Sequence, residues 1–412
     1  MAFSLSRNAN LFVSTADKDV AKTQDNTWEI KVLDGFSFSA TTATQEIEIN
    51  EAGSAPTRGQ QVFTTAIEPA EWSFQAYVRP RYDIPNDVND AVERVLWEAL
   101  ASLNDTTPIS TDSNGDATTR QANSAGGMTV DFLTSRTNEL KKLYFYWNLG
   151  TTAAPTWYYM PGSVVNQAEI DFAIDAIASI TWSGFADSIT QITNADDPTA
   201  FGHLTDMLAG PGDLQTTAFP TGDGYLQAPT GQQACIRNKL STVTLVGDSG
   251  QAGIGGNSYS VALTGGTLTI NNNITFLTPE SLGVVNQPCG HFTGQLQISG
   301  NMTAYLKSGT TGDTADLLND LLTYSTGASA SADPTRFALD IYVGGVAPTS
   351  PYNVPVLQLS MPAAHLVIPT INIEDVVSVD IPFTALAYET DGVTPDPNAA
   401  NEISVAYYTD ET

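Results

Sequence analysis

The sequence predicts a mainly β protein built from two tandem β-barrel or sandwich modules, each with a short flanking helix and a long β-hairpin. Three observations predict it. Short words recur at a fixed distance: Met160-Pro161 and Met361-Pro362 stand 201 residues apart, and each leads into a long stretch mixing acidic and apolar residues (169–182 and 371–381). Apolar and polar residues alternate with period two in many short runs, the pattern of strands with one buried face. Only 15% of the residues are charged, and the wealth of Thr, Ser, Gly and Asn suits sheets and turns better than solvated helices. Self-similarity of this kind marks a unit meant to be stacked or ringed with its own kind.

The first copy opens with Ser6-Arg7-Asn8 ahead of an apolar strand, Leu11-Phe12-Val13. Strand signals continue through 28–33 and 36–38, then through Glu46-Ile47-Glu48-Ile49, a loop over 50–60, and 71–79. In the last of these Trp72, Phe74, Ala76 and Val78 share one face, while Glu71, Ser73, Gln75 and Arg79 fall outside it. A helix is expected next, capped by Asn86 or Asp87, because Val88, Ala91, Val92, Val95 and Ala99 recur at three- and four-residue spacing. The polar tract 104–127 reads as a long loop. Strands resume at 143–147 and 157–160, followed by the long segment 164–185.

The second copy replays this order. Arg237-Asn238 precedes a strand over 242–246, and 296–306 sets Leu296, Ile298, Met302, Ala304 and Leu306 on one face. Its Ala304-Tyr305-Leu306 matches Ala76-Tyr77-Val78. A helix is expected over 314–324 on Leu317, Leu318, Leu321 and Leu322, then strands at 337–343 and 356–361 and a final long pair. The expected organisation is a first module over 1–193, a Gly/Pro-rich connector over 194–233 and a second module over 234–412.

Composition excludes several function classes. Sixteen Lys and Arg against forty-five Asp and Glu leave a formal charge of −29, which repels nucleic-acid phosphates and argues against DNA or RNA binding. Two cysteines, Cys235 and Cys289, make no disulfide framework and suit a reducing compartment or indifference to redox. The start of the sequence lacks the charged and apolar regions of a secretory signal, and no run of eighteen apolar residues occurs, so no membrane span is expected.

The chemical motifs are weak. Asp112-Ser-Asn-Gly-Asp116 resembles part of a calcium loop, but its Gly is fourth rather than sixth and Asn123 stands where a carboxylate is needed. Gly250, Gly253, Gly255 and Gly256 lead into a strand-like run instead of a helix, so a hairpin is expected rather than a phosphate cradle. His203, His291 and His365 have no metal-ligand spacing, and no nucleophile elbow is present. No catalytic, cofactor or metal-binding residue is therefore assigned.

The acidic positions on the long strands carry more. Ile170, Phe172, Ile174, Ile180 and Trp182 share one face and Glu169, Asp171 and Asp175 the other; in the second copy Ile371, Ile373, Val377, Val379 and Ile381 oppose Asn372, Glu374 and Asp380. Glu46 and Glu48 alternate with Ile47 and Ile49 in the same way. These faces are either solvated sheet surface or the wall of a water-filled channel of one charge sign. In the channel reading the lining residues are Glu46, Glu48, Glu169, Asp171, Asp175, Glu374 and Asp380.

The Ser6-Arg-Asn-x-x-Leu-Phe-Val opening and the Phe36-Ser-Phe-Ser segment before an acidic hairpin resemble the tail tube proteins of tailed bacteriophages. The Tyr159-Met-Pro-Gly-Ser-Val-Val165 strand and the hairpin ending Trp182-Ser-Gly-Phe185 add to the resemblance, which covers most of both halves. It implies tail-tube-like modules whose hairpins join those of neighbours into one large barrel, in rings that stack around a lumen for DNA ejection. The family's usual chain carries one module and forms rings of six. Two modules per chain imply a trimeric, pseudo-sixfold ring. The implied partners are the chain itself, the tape-measure protein, the baseplate, the tail terminator and a sheath if the tail contracts. DNA is only in transit, and no membrane is involved. The implied location is the virion tail, assembled in the host bacterial cytoplasm. Within the family a tube-end or baseplate-proximal ring is the alternative. Outside it stand a secreted acidic adhesin or S-layer protein and, third, a carbohydrate-active enzyme.

Overall fold

The computed structural model describes residues 9–18, 27–47, 61–83, 88–91, 93–101, 110–111, 117–118, 121–122, 128–133, 140–150, 155–192, 236–249, 251, 254–278, 285–326, 335–345, 355–373, 375–388 and 401–408. In chain order the N-terminal half runs β1 (Asn10–Ser14), β2 (Thr27–Ile30), β3 (Ser37–Ser39), β4 (Thr42–Ile47), β5 (Gln61–Ile67), β6 (Ala70–Tyr77), β7 (Pro80–Asp83), β8 (Val88–Ala91) and α1 (Arg94–Leu100). It continues with β9 (Ser110–Thr111), β10 (Ala117–Thr118), β11 (Gln121–Ala122), β12 (Met128–Leu133), β13 (Leu143–Asn148), β14 (Trp157–Asp171), β15 (Ser179–Ala186) and β16 (Thr190–Ile192). The C-terminal half runs β17 (Thr242–Gly247), β18 (Ser258–Ser260), β19 (Ala262–Asn271), β20 (Thr275–Leu277), β21 (Gly290–Phe292), β22 (Gln297–Tyr305) and α2 (Thr314–Thr326). Five strands complete it: β23 (Phe337–Val343), β24 (Val356–Leu366), β25 (Thr370–Asn372), β26 (Ser378–Ala385) and β27 (Asn401–Tyr408). The protein is mainly β, as the alternation predicts.

The pairings of the N-terminal half recur in the C-terminal half. All are antiparallel: β1 pairs with β2 and β13, β13 with β14, β14 with β15 and β16, β15 with β6, and β6 with β3. Replacing these strands in turn by β17, β18, β23, β24, β26, β27, β22 and β19 gives pairings that all exist: β17 with β18 and β23, β23 with β24, β24 with β26 and β27, β26 with β22, and β22 with β19. The small hairpins β4–β5 and β20–β21 also correspond.

The two Met-Pro words fall on the long strands β14 and β24. Residues Trp157 to Tyr159 of β14 pair with β16, whereas 164–171 pair with β15. The strand thus leaves one sheet and enters another within a few residues. Pro161 sits at that transition, where a missing N–H costs least. Gly162 beside it has φ +60°, and a Cβ there would stand 2.1 Å from the Asp187 carboxylate, so only glycine fits without a shift.

One ladder crosses between the halves. The far end of β14 pairs with β19 from Gln167↔Asn271 to Asp171↔Thr267. A continuous antiparallel sheet results, in the order β3-β6-β15-β14-β19-β22-β26. One face of it is core: Phe74, Trp182, Ile170, Phe172, Leu268, Met302 and Ile381 are all buried. Gly266 makes room for the ring of Phe172, since a Cβ there would lie 2.6 Å from that ring and 2.5 Å from the Asn301 carbonyl oxygen. Gly184 does the same for Trp72.

A second tie between the halves is β12, which pairs with β27 from Met128↔Tyr407 to Leu133↔Asn401. Beneath it α1 inserts Trp97, fully buried, edge-on to Trp182 with centroids 4.8 Å apart. Trp97 Nε1–H donates to the Tyr407 hydroxyl oxygen at 2.7 Å, and that hydroxyl donates to Glu93 Oε1 at 2.7 Å. Burial pushes the Glu93 carboxyl up to about 7, with the Tyr407 bond acting against it. Burial likewise raises Glu402 on β27 to about 7.

Some expectations needed correction. The helix expected from residue 88 begins at Arg94, because 88–91 pair as β8 with β7. The apolar spacing at Val88 and Ala91 belongs to a strand. The second helix falls where the spacing put it, with Leu317 and Leu321 buried and Leu322 exposed on its outer side. The glycine run near 250–256 lies between β17 and β18, which form an antiparallel hairpin. Within 104–127 the structure describes only the short pairings β9–β10 and β11–β12; Asp112–Asp116, Cys235, His203 and 194–233 lie outside the described residues.

Tyr407→Phe is expected to remove the hydroxyl that Trp97 Nε1 donates to and one of the bonds to Glu93, and to cost about 1–3 kcal/mol, read by chemical denaturation. Glu93 and Glu402 both have folded values raised from 4.5 to about 7. Their contribution is therefore complete below pH 4.5 and is lost as pH rises to about 7. The melting temperature should fall across that window, and Glu93→Gln should flatten the fall. Gly266→Ala should overpack the ladder between halves and cost about 1–3 kcal/mol.

Candidate functional site

The face of the seven-strand sheet opposite the core is mostly polar. Following the register, one row across the strands reads Tyr77, Ser179, Asp171, Thr267, Asn301 and Pro382. The next reads Gln75, Thr181, Glu169, Thr269, Ser299 and Thr384. Hydroxyls and amides therefore stand beside each acid as cross-strand neighbours, a favourable pairing for exposed sheet surface. The seven strands contain no Lys, Arg or His within the portions that build this sheet.

Three of the acids assigned from the sequence meet here. Glu169 and Asp171 lie on β14, half-buried, beside Thr269 and Thr267 of β19. Asp380 lies on β26, where Thr303 Oγ1 donates to its Oδ1 at 2.8 Å and Asn372 Nδ2 donates to its Oδ2 at 2.6 Å. These neutral donors orient the carboxylate along the sheet and leave its charge uncompensated.

The other assigned acids separate from this face. Asp175 is exposed in the turn between β14 and β15: the chain leaves the strand after Asp171, whose Oδ1 accepts from Ala173 N at 2.9 Å to start the turn. Ile174, expected on the apolar face, is exposed there for the same reason. Glu46 is exposed on the separate β4–β5 hairpin. Glu48 and Glu374 lie outside the described residues. Sequence reasoning left out Glu71, which β6 places on the same face opposite Ser39 and Phe185. The alternation over 71–79 already carried that signal.

No other chemistry competes among the described residues. No group of three metal-ligating side chains is present, and no helix is long and apolar enough to cross a membrane. His291 is buried, with its Nε2 accepting from Leu140 N at 3.0 Å, a structural bond between halves. Cys289 is exposed with a free thiol.

What the face can do follows from its charge. At physiological salt a charge is screened within about 8 Å, so these acids act only on what comes close to the wall. A phosphate approaching them meets like charge and, among the described strands that build the face, no Lys, Arg or His that could hold it.

No protein-family model matches the chain. Among proteins of known function it is similar to the tail tube protein pb6 of Escherichia phage T5, at 32% identity over 392 residues. The alignment takes in 95% of this chain and 74% of that longer relative. Likeness of that extent shows the family: this chain belongs to the phage tail tube proteins.

Proposed function

We propose that this virion tail component is a non-enzymatic structural protein that joins copies of itself edge to edge into rings, and that the rings stack into the tail tube. Residues 1–193 and 234–412 act as two tube modules linked by 194–233, so three chains close a ring of pseudo-sixfold form. The polar face of the seven-strand sheet lines the lumen, and DNA passes it without being bound. The tape-measure protein runs inside the tube, the baseplate and tail terminator close its ends, and a contractile tail would add a sheath.

The observation that carries this reading is the sheet itself, with one face committed to core and the other acidic and free of Lys and Arg among the strands that build it. Glu169, Asp171 and Asp380 share that second face. A sheet of this kind with open edges is a liability in isolation, and closure into a barrel removes the edges.

Electron microscopy of the purified protein at high concentration is expected to show hollow tubes with three chains per ring and these three acids turned inward. Six chains per ring would overturn the trimer, and an outward-facing acidic sheet would overturn the channel. In gel-shift assays at low salt the assembled protein should leave duplex DNA unretarded. The triple variant Glu169→Lys, Asp171→Lys, Asp380→Lys should instead retain DNA in a salt-dependent way.

A further inference from the structure

The ladder between β14 and β19 is a finished joint whose two sides recur at the two ends of the same sheet, on β3 and on β25, which extends the sheet beyond β26. Among the described residues neither edge carries a second strand partner. Because β14 and β24–β25 correspond at a spacing of 201 residues, Glu169, Ile170, Asp171 and Phe172 are matched by Thr370, Ile371, Asn372 and Ile373. Their partners across the joint, Thr269, Leu268, Thr267 and Gly266, are matched through β22 and β6 by Ser39, Phe38, Ser37 and Phe36.

Exposure differs sharply between the two sets. Ile170 and Phe172 are 0% and 1% exposed in the joint, whereas Ile371 and Ile373 are 46% and 83% exposed. Val367 and Ile368, one turn of pleat earlier on the same edge, are 47% and 42% exposed. These edge strands are also short, three residues each for β3 and β25, as exposed edges tend to be.

We infer that the β25 edge of one copy pairs antiparallel with the β3 edge of a second copy of this chain, in the register Asn372↔Ser37, Ile371↔Phe38 and Thr370↔Ser39, repeating the joint between β14 and β19. This inference rests on the ring proposed above and names the contact that closes it. The fit is complementary rather than copied: the internal joint sets Phe172 against Gly266, and the outer one sets Ile373 against Phe36. Pro369 takes the place of Ala168, so the outer joint lacks one ladder donor. Proline on an edge strand is a common guard against premature pairing.

The internal joint also tells which rungs suit a cross-link. Phe172 N donates to Gly266 O at 3.1 Å and Asn272 N to Asn166 O at 2.9 Å. The alternate rung Glu169↔Thr269 is therefore a non-hydrogen-bonded pair, with Cα atoms about 4.5 Å apart, inside the range a disulfide spans. Its outer counterpart is Thr370↔Ser39, and both side chains are exposed.

The test replaces Cys235 and Cys289 by Ser and introduces Ser39→Cys with Thr370→Cys. Oxidation of assembled tubes with diamide is expected to give covalent oligomers on non-reducing gels, at least tenfold more than the displaced pair Ser39→Cys with Asn372→Cys. Equal or stronger cross-linking of the displaced pair overturns the register. Tubes that form and stay uncross-linked overturn the joint while leaving the tube standing; absence of tubes from the unmodified protein overturns the tube reading itself. Should the double-cysteine chain fail to assemble, hydrogen exchange on the unmodified protein decides. Assembly should slow exchange over 36–41 and 368–373 at least tenfold, and unchanged exchange in both segments overturns the inference.

Discussion

The antiparallel ladder between β14 and β19 is the contact on which the rest of this structure depends. It turns two sets of strands with matching pairings into one sheet, and it gives that sheet a single buried face and a single wet one. The core follows from it: Phe172 can enter the interior only because Gly266 has no side chain in its way. The polar face follows too, because side chains alternate strictly and the register brings Asp171 beside Thr267 and Glu169 beside Thr269.

A second constraint holds the halves from the other side. The Trp97, Tyr407 and Glu93 chain joins α1 to the last strand across more than three hundred residues of sequence, 310 between Trp97 and Tyr407. Burial favours the protonated form of the Glu93 carboxyl, and the bond from the Tyr407 hydroxyl, backbone bonds and the Arg79 charge act against it. The two ties engage different elements, β14 with β19 and α1 with β27, so the halves are held by more than one contact.

Much of the fold was legible because period-two alternation reports faces directly. Trp72, Phe74 and Ala76 went inward, and Glu169, Asp171 and Asp380 went to the polar face, as their alternation implied. The Met-Pro words were visible as repeats, but their role as the points where a long strand changes sheets depends on pairing partners far away in sequence. Boundaries were less legible. Val88 and Ala91 satisfy a helical spacing and a strand equally well, and pairing with β7 decided between them. Asp175 and Ile174 continued the alternation on paper, yet the Asp171 side chain starts a turn before them. Ile371 and Ile373 share the alternation of Val379 and Ile381 yet stand exposed at the β25 edge, where among the described residues β26 alone pairs with that strand. Glu46 alternates like the others but belongs to a hairpin outside the seven-strand sheet.

Having both sides of the β14–β19 ladder on one polypeptide changes how that contact responds to dilution. A joint between separate molecules weakens as protein becomes scarce, whereas a tethered one forms at an effective concentration set only by the linking chain. The loop-closure cost of a long connector grows slowly with its length, so a generous link sacrifices little. Carrying both sets of matching strand pairings on one chain thereby makes the β14–β19 contact independent of how much protein the cell has made.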